Sequence, residues 1–210
     1  MTNTDTSQIK NILSFDLGYL HFSYVLLQYS EKEQIDWIKR KFSKSENKLT
    51  NSGYYYFNIS FYNCTDLILS NRKLKDTSIL ERTTSLKNEL KKIDKLISEY
   101  KIKVDLVLIE KQLKKNKYAP MMEHQVYFHY CDVCPLSVIL ATQGVHVEID
   151  GVMNIRDYYK YKKGNVKKKY AGDCFISVAT KLDILRKLRK YDDVGDCMLQ
   201  ALFRVENPKI

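Results

Sequence analysis

The sequence predicts an α/β domain with a mixed central sheet flanked by helices, and three observations predict it. Two apolar runs in succession, "NILSFDLGY" and "HFSYVLLQYS", are joined by a glycine-containing turn, which is a hairpin signal. Apolar positions then recur at helical spacing from Ile79 to Tyr100. A compact apolar run, "VDLVLIE", follows that helix, and strand-like and helix-like segments alternate from there.

The first strand runs from Ile12 to Phe15, ends at Asp16 and turns at Gly18. "HFSYVLLQYS" is the second strand and "QIDWIKRKFS" the third. Residues 44–78 are polar and rich in Asn and Ser, with one aromatic island, "GYYYFNISFYN"; they read as an insertion or as a hairpin extending the sheet. The helix from Ile79 carries Leu80, Thr83, Leu86, Leu90, Ile93 and Ile97 on one face. Val104 to Glu110 is a buried strand closing in an acid. A helix is expected over residues 121–141, with Pro120 near its start and Pro135 bending or splitting it. "GVHVEIDG" alternates as a strand. A basic loop then enters a helix with Phe175, Val178, Leu182, Leu185 and Leu188 on one face. The last helix carries Val194, Cys197, Met198, Ala201, Leu202 and Val205. No repeat or low-complexity linker interrupts the chain, so residues 1–210 are read as one domain.

With 210 residues, 44% hydrophobic and 12% aromatic, the chain can bury a core and is too apolar for disorder. A net charge of +10 and a pI of about 9.2 point to a polyanionic partner, nucleic acid before membrane. No apolar run approaches the roughly 18 residues of a membrane span. The opening "MTNTDTSQIKN" has neither a signal-peptide nor a transit pattern, so an intracellular protein is expected and a mitochondrial one is not. Five cysteines without framework spacing fit a reducing compartment. From Arg156 to Lys190, twelve Lys and Arg stand against three Asp. Tyr158, Tyr159, Tyr161 and Tyr170 are interleaved there, a mixture suited to phosphate contact with stacking. "HYCDVCP", with His129, Cys131, Cys134 and His124 upstream, invites a zinc reading, but a lone C-x-x-C is half a site. Helix-buried cysteines are expected there, and Cys64 and Cys174 are expected in the core.

Against this basic background, "KYDDVGDCMLQALF" sets Asp192, Asp193 and Asp196 at the mouth of an apolar helix. Helix capping uses one such acid, or two. Three crowded acids repel one another unless a cation lies among them. Asp193 and Asp196, three apart, share a helix face, roughly 60° apart around the axis. Gly195 between them lets the helix approach the sheet edge. Ligand sites in α/β folds lie at the carboxyl ends of strands, where Asp16 and Glu110 close two of them. Four converging carboxylates suit Mg²⁺, with Mn²⁺ as the alternative, and two ions at one site serve phosphodiester hydrolysis.

"FDLG", "LVLIEKQ" and "KYDDVGDCMLQAL" in this order resemble the RuvC-type Holliday junction resolvases of the RNase H-like superfamily, and within them the group from poxviruses and related large DNA viruses. The family pattern falls on Asp16 with Gly18, Glu110 with Gln112, Lys168 with Lys169, and Lys190 with Asp192, Asp193 and Asp196. His21 stands where the family often has Asn. The resemblance covers residues 12–30 and 79–205 and implies an RNase H-like fold. It implies Asp16, Glu110, Asp193 and Asp196 as the catalytic metal ligands, with Asp192 as the alternative to Asp193. Lys168 or Lys169 would steady the charge on phosphorus. Lys111, Lys114, Lys115 and Lys117 would meet the flanking DNA backbone, and Lys162, Lys163, Lys167, Lys168 and Lys169 a second arm. The implied protein is a Mg²⁺-dependent, homodimeric endonuclease nicking four-way or other branched DNA at viral replication sites in the host cytoplasm. A broader flap endonuclease and a non-catalytic branched-DNA-binding protein are the competing readings.

Overall fold

The computed structural model describes residues 9–18, 20–41, 53–68, 76–112, 118–139 and 164–207. Six strands are found among them: β1 (Lys10–Leu17), β2 (His21–Ser30), β3 (Ile38–Lys41), β4 (Tyr54–Asp66), β5 (Leu106–Glu110) and β6 (Leu136–Ile139). The helices are α1 (Ile79–Glu99), α2 (Ala119–Tyr130), α3 (Gly164–Lys181) and α4 (Asp192–Glu206). The strands form one sheet in the order β3-β4-β2-β1-β5-β6. The first four are linked antiparallel, while β1–β5 and β5–β6 pair parallel, giving the expected mixed sheet.

Strand alternation divides the core into two layers. Leu13, Phe15 and Leu17 face α1 and α2, packing with Leu86, Leu90 and Ile93. Ile12, Val25, Leu27 and Leu108 face α3 and α4, packing with Phe175, Val178, Met198 and Leu202. The aromatic island of residues 44–78 is β4, the partner of β2, with β3 outside it. Leu26 pairs with Phe61 and Leu27 with Ile59, so Ser60 is an extra residue in β4. This bulge reverses the alternation: Tyr55, Phe57 and Ile59 before it and Tyr62 and Cys64 after it all lie in the α3/α4 layer.

Four expectations are corrected. The helix anticipated over 121–141 ends at Tyr130, and Leu136–Ile139 is β6. Pro135 disfavours helix in the residue before it, and a short, mostly apolar stretch such as Leu-Ser-Val-Ile satisfies a strand as well as a helix. The third helix stops at Lys181 rather than continuing through Leu188. Asp183 adopts a positive φ of 55° while the Ile184 N–H bonds back to Ala179, closing the helix in the left-handed C-terminal manner. Leu80, placed on the apolar face of α1, is exposed. Gly195 admits a close approach to α3, not to the sheet edge. The "GVHVEIDG" strand lies outside the described residues.

The C-terminal end of α4 is anchored by a buried polar group. Arg40 Nε lies 2.6 Å from Glu206 Oε1, and the Tyr55 hydroxyl donates to the same oxygen at 2.8 Å. The helix that carries three of the acids is therefore fixed at its far end to β3 and β4. Among the described residues no helix is long and apolar enough to cross a membrane.

Candidate active site

Asp16 and Glu110 stand at the carboxyl ends of parallel neighbours. The β1–β5 register runs to Phe15 opposite Ile109, so the two acids are the next pair, on the α3/α4 face with Ile12 and Leu108. Their side chains hydrogen-bond to each other. Burial, then the Asp16 bond and charge, then Asp196 and Asp193 push the Glu110 carboxyl up to about 11. Burial also raises Asp16, with Asp193 adding to the rise. Burial and mutual repulsion thus favour the protonated form in both members of the pair.

Helix α4 brings its acids over this pair. The N-terminal residue Tyr191 makes no side-chain cap, so the acids do not act as an N-cap. Burial, then Asp16, Asp193 and Asp192, hold the Asp196 carboxyl well above the usual range. Asp193 is buried, and Lys190 Nζ donates to it at 3.1 and 3.4 Å. Burial opposes the Lys190 charge, but the Asp193 bond and charge outweigh it and raise the ammonium. Lys168 Nζ is 3.8 Å from Asp192 Oδ2, and its charge acts on both Asp16 and Asp196. The charge of Asp193 is among the causes raising Asp16 and Glu110.

The four carboxylates of the sequence pattern are thus gathered, with Lys168 at their margin, while Lys169 is exposed on the same helix and Lys167 half-buried. Lys111 is exposed directly after Glu110. Lys114, Lys115, Lys117, Lys162 and Lys163 lie outside the described residues. Gln112 turns back, its amide donating to the Glu110 carbonyl at 3.4 Å, and its backbone N–H donates to Glu123. Tyr170, set among the stacking candidates, is fully buried in the core; Tyr158, Tyr159 and Tyr161 are outside the described residues. Cys64 and Cys174 are core residues as anticipated. Cys131 and Cys134 are not helix-buried: Cys131 ends α2 and Cys134 is half-buried in the following turn. His129 pairs with Asp94 at 2.9 Å instead of joining them.

Sequence reasoning missed Lys190 as a site residue and left His21 without a role. His21 Nδ1 lies 2.6 Å from Asp66 Oδ1, at the same end of the sheet, and Asp66 also pairs with Arg189. Lys190 had a signal, its place in the acidic motif; Asp66 had none, lying in the stretch whose strand was illegible.

A divalent ion fits the chemistry of this donor set. All four side chains offer hard oxygens, and the raised carboxyls of Asp16, Glu110 and Asp196 are groups that a cation would favour in the ionised form. As placed, Asp16 and Glu110 hydrogen-bond to each other and Lys190 donates to Asp193. Among the described residues no group of three or more His, Cys, Asp or Glu side chains is placed so that it could hold a metal ion as it stands.

The fold is that of known resolvases. The crystal structure of the fowlpox virus Holliday junction resolvase aligns over 93% of this chain and 98% of its own, with a TM-score of 0.52 and 15% identity. T. thermophilus RuvC in complex with Holliday junction substrate aligns over 95% of each chain, with a TM-score of 0.51 and 9% identity. These likenesses establish the RNase H-like fold. No curated protein sequence matches the chain. Residues 57–207, which hold β5, α4 and three of the four acids, match the family described as the poxvirus A22 protein, and the chain belongs to that family.

Proposed function

We propose that this protein is a Holliday junction resolvase, an endonuclease that makes paired nicks in four-way DNA junctions during viral recombination and concatemer resolution. The observation that carries the reading is the convergence of Asp16, Glu110, Asp193 and Asp196 from β1, β5 and α4 beneath a basic rim, in a fold shared with the fowlpox enzyme. Those four residues would hold Mg²⁺, or Mn²⁺, two ions to a site. Such ions, when bound, activate water and neutralise the departing 3′ oxygen.

The chain's own residues do the remainder. Burial and mutual repulsion favour the protonated forms of Glu110 and Asp16, so a divalent ion bound there would compete with protons. Lys190 holds the Asp193 carboxylate in place through a charge-assisted hydrogen bond. Lys168 lends positive charge at the margin, where charge on the phosphoryl oxygens develops. Lys111, Lys167 and Lys169 offer contacts to flanking phosphates, and Lys114, Lys115, Lys117, Lys162 and Lys163 are assigned to DNA binding from the sequence alone.

A four-way junction is two-fold symmetric, so paired nicks call for a two-fold dimer. Helix α2 offers a face for it. Met121, His124 and Phe128 recur at helical spacing, Phe128 is 72% exposed, and Val133 beyond the helix is 73% exposed.

A nicking assay on a synthetic four-way junction, beside linear duplex and a flap, tests the proposal. Symmetric nicks on the junction alone, present with Mg²⁺ and abolished by EDTA, are the expected result. Equal cutting of the flap favours the broader endonuclease, and junction binding without cutting favours the binding protein.

A further inference from the structure

The row of ionisable side chains at this end of the sheet does not stop at Asp16. Across β5, β1, β2 and β4 it reads Glu110, Asp16, His21, Asp66, the last two paired in register. The Ser60 bulge keeps Asp66 on the α3/α4 face with Tyr62 and Cys64. Asp66 is a fifth carboxylate at this edge, but its charge is met from other elements. One oxygen takes His21 Nδ1 at 2.6 Å, and the other pairs with the Arg189 guanidinium. The Asp66 side chain is 15% exposed and that of Arg189 62%, so the acid is covered and the cation faces solvent.

Arg186 is fixed in a parallel way. Its guanidinium lies over the Tyr62 ring, 4.7 Å from the centroid, and donates to the Tyr62 carbonyl. The Tyr62 hydroxyl donates to the Ile184 carbonyl at 2.6 Å and accepts the Arg186 N–H at 3.1 Å, which pins the connector's backbone to β4. Tyr62 and Asp66 are four residues apart on one strand face, roughly 13 Å along it. Two arginines of the 182–191 connector are thus held open to solvent by separate β4 residues, beside Lys190 and the cluster. Four adjacent strands from Glu110 to Asp66 span roughly 14 Å, over which one strand of a duplex presents about four phosphates.

We infer that Arg189 and Arg186 form a backbone-phosphate track leading the DNA strand away from the carboxylate cluster on its β4 side, with Asp66 and His21 positioning Arg189. The inference rests on the resolvase reading and adds a contact surface to it, opposite Lys111. Arg189 supplies the charge; Asp66 supplies only its placement, since a carboxylate at this edge otherwise repels DNA.

The test is junction binding in EDTA, where no cutting occurs, measured against salt for the wild type, Arg189→Ala, Arg189→Lys and Asp66→Asn. Arg189→Ala should weaken binding about 5–10-fold near 0.1 M salt and lower the salt slope by about one. Arg189→Lys should keep the slope. Asp66→Asn is the sharper arm: it removes a negative charge, yet should weaken binding because Arg189 loses its hold. Tighter binding by Asp66→Asn, or an unchanged slope in Arg189→Ala, overturns the inference while wild-type binding leaves the resolvase reading standing. A wild-type protein that does not bind the junction overturns both.

Discussion

Gly195 of α4 lies against the Ala171 carbonyl of α3 so closely that a Cβ built on it would stand 2.1 Å from that oxygen and 2.4 Å from its carbon. Both contact atoms are backbone, which cannot swing aside as a flexible side chain can. The two helices therefore meet main chain to main chain midway between Asp193 and Asp196. Lys168, three residues before Ala171, reaches Asp192 through the same contact region.

Gly195→Ala should accordingly force the helices apart. The expected cost is about 1–3 kcal/mol, read as a fall in Tm of about 2–4 °C for each kcal/mol. Because the shift occurs between two of the acids, nicking should fall further than stability does. A variant with unchanged Tm and activity would mean the helices separate without strain.

The pH dependence follows from the raised carboxyls. Burial and mutual repulsion hold Asp16, Glu110 and Asp196 above their ordinary values, Glu110 at about 11. A carboxyl whose folded value exceeds its unfolded one is favoured protonated. Its cost is absent below the unfolded value, near 4.5 for Glu110, and grows as pH rises toward the folded value. In EDTA, Glu110→Gln should therefore be more stable than the wild type, by a margin that widens from pH 5 to pH 8. Added Mg²⁺ should narrow it by stabilising the wild type alone. Thermal melts at three pH values check this, and a margin that shrinks with pH contradicts it.

The buried Arg40–Glu206–Tyr55 group makes a prediction about stability without chemistry. Glu206→Ala leaves a buried guanidinium without this partner and should cost about 3–5 kcal/mol. Replacing both charges, as Arg40→Met with Glu206→Leu, should recover most of that loss. Urea unfolding of Arg40→Met, Glu206→Leu and the double variant closes the cycle, with Glu206→Ala measured beside it.

The proposed dimer face is tested by charge. Phe128→Asp places a carboxylate at the centre of the exposed α2 surface and should shift the protein toward monomer in sedimentation experiments. Folding should be little affected, because Phe128 is mostly solvent-exposed in one copy. A dimer that persists unchanged would remove α2 from the interface.

What the sequence revealed and what it hid have physical reasons. "FDLG" and "LVLIE" were legible because a buried strand in a parallel pair is a continuous apolar run, and an acid ending it stands out. Asp193 and Asp196 were legible because helical spacing sets their common face. Strand β4 was obscured by the bulge at Ser60, which breaks the period-two pattern and reverses the facing of Asp66. Strand β6 was absorbed into a helix because the short stretch Leu-Ser-Val-Ile after Pro135, with three apolar residues, fits either period. The end of α3 depended on Asp183 entering a left-handed conformation, which a non-glycine residue seldom signals. Arg189 looked like one of many surface cations, since its partner Asp66 is more than a hundred residues away.

The central claim is that Asp16, Glu110, Asp193 and Asp196 form one divalent-metal centre. Calorimetric titration of Mn²⁺ into the wild type, Asp16→Asn and Glu110→Gln tests it most directly, without requiring any DNA. The account predicts binding in the wild type with proton release, and at least about tenfold weaker binding in each variant. Equal Mn²⁺ binding by all three proteins would contradict it, and the carboxylates would then be a proton-sharing cluster that holds no metal.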